Sequence, residues 1–142
     1  MAETRQEIQD MVDRETRAWD ARDVDLLMSV FHPDMVWFWP PDNTSHDPTT
    51  WESPLGRFDQ ERWSRIYTEM FAEYTLVHNQ RKTVEIKITA EGDGALAIVD
   101  IDTLWENKTT GERMHWKGRT GKTYAKVEGG WKMIAQSGVL LY

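Results

Sequence analysis

The sequence predicts an α+β fold in a single domain, residues 1–142. Three observations lead there. Apolar residues recur at helical spacing as far as Tyr74, the period then falls to two, and three Gly-containing turns divide the second half into hairpins. Helices that lead and antiparallel strands that trail pack as a helical layer against one sheet.

Residues 3–20 form the first predicted helix, because Ile8, Val12, Glu15 and Trp19 fall on one face with Met11 and Ala18 beside them. Asp23 offers an N-cap for a short second helix carrying Leu26, Leu27, Val30 and Phe31. His32-Pro33 ends it, since the residue before proline is pushed out of the α region. Met35 to Trp39 then reads as a short strand, stopped by Pro40-Pro41. Residues 40–58 are a long loop, either a lid or an ordinary excursion. Asp59 caps a third helix over 59–74, with Trp63, Ile66, Tyr67, Met70, Phe71 and Tyr74 as its apolar stripe. Strands follow over 76–90, 95–106, 112–127 and 131–142, with turns at Glu91–Gly94, Lys108–Gly111 and Gly129-Gly130. Isolated Gly118 and Gly121 point to bulges or bends in the third of these.

Composition narrows the function. Seventeen Lys and Arg against 24 Asp and Glu leave a net charge of −7 with no basic run, which argues against a nucleic-acid partner. There is no cysteine, so disulfides, thiolate metal sites and cysteine nucleophiles are excluded. The opening MAETRQEIQDMVDRE carries no apolar signal core, and no apolar run is long enough to span a bilayer, so a cytoplasmic protein with no membrane partner is expected. Eight tryptophans are many for this length; they line a pocket or fill a core.

The stretch AWDARDVDLLMSVFHPDMVW, the third helix and the ending WKMIAQSGVLLY resemble the SnoaL-like branch of the nuclear transport factor 2-like superfamily, the cystatin-like α+β roll. The resemblance covers nearly the whole chain. It implies a curved antiparallel sheet wrapped around the N-terminal helices, with a cone-shaped pocket between them. It also implies acid–base chemistry without metal or organic cofactor, as in polyketide cyclases, ketosteroid isomerases and scytalone dehydratases, or else a member that only binds or dimerises. A homodimer formed through the open sheet face would be common for such a fold.

The candidate residues divide accordingly. The isomerase general-base Asp would stand just before the proline that follows the first strand, and that position is Trp39. A dehydratase-like plan places a His early on the strand after the third helix, with a partner on the next strand, which matches His78 with Asp102 or Asp100. A carboxylate there would orient the imidazole and stabilise its charged form. A hairpin centred on Gly92-Asp93, however, sets His78 opposite Asn107 and leaves His78 and Asp102 about 17 Å apart unless a bulge intervenes. Glu15 lies on the apolar stripe of the first helix, at its edge or buried with a partner. Trp37 and Trp39 share a face, and with Trp19, Trp63 and Trp116 they are the expected walls of a ring-lined pocket for a small apolar molecule. Lys117, Arg119 and Lys122 could hold a carboxylate or enolate oxygen, or form a solvated face. His46-Asp47 has too few ligands nearby to suggest a metal. The expected function is a cofactor-free lyase or isomerase acting on a small apolar or aromatic substrate; the alternative is a non-catalytic binding or dimerising accessory protein.

Overall fold

The computed structural model describes residues 2–142. Helix α1 (Ala2–Ala21) buries Ile8, Met11, Val12, Glu15, Ala18 and Trp19, which is the stripe the spacing predicts. Helix α2 (Val24–Met28) is capped as expected, with the Asp23 carboxylate accepting from the Leu26 N–H. Helix α3 (Gln60–Glu73) is capped by Asp59, which accepts from the Arg62 N–H, and buries Trp63, Tyr67 and Phe71 at spacings of four.

Five strands follow the order β1-β5-β4-β3-β2 in one sheet: β1 (Phe31–Trp37), β2 (Tyr74–Ile88), β3 (Gly94–Asn107), β4 (Arg113–Val127) and β5 (Gly130–Gln136). All neighbours are antiparallel except β1 and β5, which run parallel. This is the helices-on-a-sheet α+β roll that the chain order predicts.

Several element bounds differ from expectation. Helix α2 stops at Met28, short of His32-Pro33, so Val30 and Phe31 lie outside it and Phe31 opens β1. Strand β1 begins at Phe31 and runs through Pro33 instead of starting at Met35. Proline, which lacks an N–H, is tolerated there because β1 is an edge strand. The last strand ends at Gln136 instead of continuing to Tyr142. Beyond it the chain passes Gly138, which lies so close to the Pro40 ring that a Cβ would overlap it, and rejoins β4 through paired hydrogen bonds between Arg119 and Leu140.

The β2–β3 register also corrects the sequence reading. The hairpin loop is centred one residue earlier, so Ile88 faces Ala95, and the Thr89 hydroxyl caps the loop by accepting from the N–H groups of Asp93 and Gly94. Register shifts between Thr83 and Glu85 and between Leu76 and His78 each skip a residue of β2. Each such bulge inverts the side-chain alternation beyond it. Consequently Ile86 is buried while Val84 is exposed, and His78 faces Leu104 instead of Asn107.

The core lies between the three helices and one sheet face. Trp19 sits at its centre, edge-on to Tyr67, Trp105 and Trp116 with ring centroids 5.4, 6.2 and 5.6 Å away. Trp63 belongs to a second group, packed against Phe31 at 5.2 Å and Phe58 at 5.1 Å, and its indole N–H donates to the Leu55 carbonyl. Edge-to-face contacts of this kind add to simple area burial. The 40–58 loop is tied down by a bridge between Trp39 and Glu52 and by the Asp47 carboxylate capping a short 3-10 turn over Pro48–Thr50. His46 stacks edge-on against Tyr142, so His46 and Asp47 each have a structural partner. No helix is long and apolar enough to cross a membrane among the described residues.

Candidate functional site

Glu15 is 1% exposed, and α1 presents it to the inner sheet face. Burial of a lone carboxylate there would be prohibitive. Three donors meet it. Lys122 Nζ donates to Glu15 Oε1 at 2.7 Å, Trp19 Nε1 donates to Oε2 at 3.1 Å, and Arg81 Nη1 stands 3.6 Å from Oε2. The Lys122 side chain is 0% exposed. Arg81 is held in turn: its Nε donates to Asn79, Asn79 donates to Asp20 on α1, and the guanidinium lies 5.8 Å from the Trp19 ring centroid.

The buried group contains two cations and one carboxylate, and its electrostatics follow. Burial alone would raise the Glu15 pKa, but the facing Lys122 and Arg81 charges outweigh it and hold the carboxyl below its ordinary 4.5. Burial pulls Lys122 down to about 8; Arg81 adds to the fall and Glu15 opposes it. Burial lowers Arg81 too, against Glu15 and Asp20. The phenols of Tyr67 and Tyr124 are pushed up by burial and then by the Glu15 charge, so both remain hydroxyl donors.

Several polar atoms here have no partner among the described residues: the indole N–H of Trp39, the hydroxyls of Tyr67 and Tyr124, and the side-chain oxygen of Gln136. Buried polar groups are normally satisfied, so a cluster of orphans asks for a water or a ligand. Glu15, Arg81, Trp19, Trp37, Trp39 and Trp116 all line a closed cavity of about 20 Å³ in the cone, room for roughly one water. The tail closes it through Gly138 and Val139. Trp63 does not line this cavity; it stays in the core beside Phe31.

The other face of the sheet holds the remaining candidates. Asn79 and Arg81 reach α1, so alternation turns His78 and Gln80 away from it. Val99 and Ile101 are buried against the helices, so Asp100 and Asp102 also point outward. The bulge at Val84, together with the earlier hairpin centre, sets His78 opposite Leu104 and so diagonal to Asp102, and His78 Nε2 lies 2.8 Å from Asp102 Oδ1. His115 Nε2 reaches the same oxygen at 2.6 Å. The two imidazoles, His115 first, hold the Asp102 carboxyl below its ordinary value. Asp100 is engaged by Arg119 through two hydrogen bonds of 2.7 and 3.1 Å. An open groove of about 470 Å³ runs past Asp100, Asp102, Lys117 and Arg119 to Tyr142. The predicted pair therefore meets, but on the face opposite the tryptophan-lined cone. Of the three basic candidates, Lys122 alone enters the cone.

Arg81, Tyr67, Tyr124 and His115 are site residues that the expectations from sequence do not include. Arg81 was hidden by the β2 bulges, which change which residues face α1. The two tyrosines read as plain stripe and strand residues. His115 had a usable signal: a turn at Lys108–Gly111 sets Leu104 opposite His115, as observed, and so puts His115 diagonal to Asp102.

The SnoaL-like domain profile matches residues 1–135. The chain belongs to the SnoaL-like domain family. Solved structures place this SnoaL-like domain within the nuclear transport factor 2-like fold. A ketosteroid isomerase-like protein from Erwinia carotovora atroseptica is 14% identical, with TM-score 0.70 over 93% of this chain and 92% of that one. A hexachlorocyclohexane dehydrochlorinase is 15% identical, with TM-score 0.67 over 99% and 87%. An NTF2-like protein from Cytophaga hutchinsonii is 19% identical, with TM-score 0.68 over 94% of each. At such identities the likeness establishes the fold of the SnoaL-like domain alone. No curated protein matches the sequence.

Proposed function

We propose that this SnoaL-like domain is a cofactor-free acid–base lyase or isomerase. Its substrate is a small apolar or aromatic molecule with an acidic C–H beside a carbonyl oxygen. The observation that carries the reading is the buried, net-cationic group Glu15–Lys122–Arg81 at the wall of a tryptophan-lined cavity. A site of that kind favours a substrate that becomes negative in the transition state. Glu15 faces the cavity and accepts the substrate proton. Lys122 lies behind it at 2.7 Å and, as it loses its proton near pH 8, ceases to hold the Glu15 carboxyl below its ordinary value and so leaves it more basic. Arg81 and the unpartnered Trp39 N–H meet the oxygen that gains charge. The enolate is then reprotonated elsewhere, giving isomerisation, or expels a group from the adjacent carbon, giving elimination. A substrate enters by parting the seam where the tail at Gly138 meets Pro40. The isomerase-like and dehydrochlorinase descriptions of the structural neighbours agree with such chemistry.

A second reading, a non-catalytic binding or dimerising accessory protein, is favoured by the small volume of the cone, about 20 Å³ between its rings. One experiment separates them. In D₂O, the wild-type chain is expected to accelerate deuterium exchange at the acidic C–H of 2-tetralone, with a rate that rises as pH passes about 8. Trp39→Phe keeps a ring but removes the N–H, and is expected to slow exchange by at least about tenfold. Exchange no faster than in buffer would leave the accessory reading.

A further inference from the structure

On the outer sheet face we propose a divalent transition-metal site, formed by His78 Nε2, His115 Nε2 and the Asp102 carboxylate and suited to an ion of the zinc class. It is separate from the cone, and the reaction proposed above does not use it.

Three adjacent strands supply one ligand each: β2, β3 and β4. The three donor atoms all lie within 4.8 Å of one another. Both imidazoles turn Nε2 toward the same carboxylate, at 2.8 and 2.6 Å, and their planes are nearly perpendicular at 89° with centroids 6.0 Å apart. The rings thus approach Asp102 from different directions instead of stacking, as ligands around one ion must. A tetrahedral zinc ion with bonds of about 2.0–2.1 Å needs its ligands about 3.3 Å apart. Reaching that spacing widens the two carboxylate contacts by roughly 0.5 and 0.7 Å and brings the two imidazole nitrogens, now within 4.8 Å, to the same separation, changes open to side chains that are about a third to a half exposed.

Two imidazoles and one carboxylate suit zinc and its first-row neighbours; calcium and magnesium prefer oxygen donors alone. Three protein ligands leave a coordination position for water. Asp102 also borders the 470 Å³ groove, so an ion there has open space beside it. Two charges on this face oppose the cation: Lys117 stands opposite Asp102 in the β3–β4 register, and Lys82 stands opposite Asp100 in the β2–β3 register. Arg119 is already engaged by Asp100. The mixed field points to micromolar affinity instead of the tighter binding of a closed structural site.

The test titrates the full chain, first stripped with a chelator, with zinc chloride in a non-coordinating buffer by calorimetry. The expected result is one equivalent bound with micromolar Kd, a rise in thermal midpoint, and no response to millimolar magnesium. His78→Gln, His115→Gln and Asp102→Asn should each weaken binding at least tenfold. His32→Gln, on β1 at the far edge of the sheet from β2, should leave it unchanged. The zinc-free variants should melt like the wild type, which separates ligand loss from misfolding. Cobalt substituted for zinc should give visible absorption bands that vanish in His115→Gln. No saturable binding up to 100 µM zinc, or equal binding by a His78→Gln/His115→Gln double variant, would overturn the proposal.

Discussion

Replacing Glu15 with glutamine is expected to destabilise the fold by about 3–5 kcal/mol, the usual cost of removing one partner from a buried ion pair. Glutamine keeps the shape and can still accept from Trp19, so packing loss contributes little. What changes is charge: Lys122 and Arg81, both buried, face each other with no carboxylate between them. Lys122 then loses its proton more readily, because Glu15 is the influence that holds its pKa up. In urea the midpoint should fall with little change in slope, and the melting temperature should drop by on the order of 10–20 °C. Adding Lys122→Met to Glu15→Gln should recover only part of the loss, since one unpaired buried ammonium is removed while Arg81 stays buried without its carboxylate. A cost below about 1 kcal/mol for Glu15→Gln alone would mean that the group is solvated in solution.

Gly118→Ala is the second large effect. Gly118 has φ of +148°, a conformation that L side chains rarely adopt, and a Cβ there would overlap the Leu140 carbonyl. The obstacle is backbone and cannot rotate away. Backbone strain and overpacking each cost about 1–3 kcal/mol. The chain escapes by releasing the tail, so the loss is local before it is global. Hydrogen exchange should report it at two amides: Leu140, which donates to the Arg119 carbonyl, and Leu141, which donates to Asn43. Both should lose protection while Ile101 in β3 keeps its own. Val139 and Gly138 wall the cone, so the same substitution should make the enclosed tryptophans more accessible to a fluorescence quencher. An unchanged exchange pattern would show that the tail does not seal the cone.

The parts of the fold legible in the sequence are those set by local chemistry. Asp23 and Asp59 announce their helices because a short acidic side chain satisfies an orphan N–H. Tyr74 marks the change of period because α3 runs straight into β2. The parts not legible depend on tertiary context. Nothing local to RKTVEIKI reveals a bulge at Val84, yet that skipped residue, with a hairpin centred one residue earlier than expected, decides that His78 lies diagonal to Asp102 instead of far from it. Pro33 reads as a stop and is a strand residue, because only the assembled sheet makes β1 an edge. Glu15 was visible as an anomaly on an apolar stripe, but its partners Arg81 and Lys122 are 66 and 107 positions away along the chain. Lys122 is a partial exception: plain alternation along β4 puts Thr120, Lys122 and Tyr124 on the helix side and Lys117 and Arg119 on the other, but only the assembled fold shows that Glu15 meets it there.

The titration of Lys122 tests the central claim most directly. The chain has seven lysines, few enough to resolve by heteronuclear NMR after incorporation of carbon-13- and nitrogen-15-labelled lysine, with Lys122 assigned from the signal lost in Lys122→Met. The account predicts that this one ammonium titrates near pH 8 in the folded chain. A Lys122 that keeps its proton up to the ordinary lysine value of about 10.4 would contradict it, because burial would then not be lowering this ammonium.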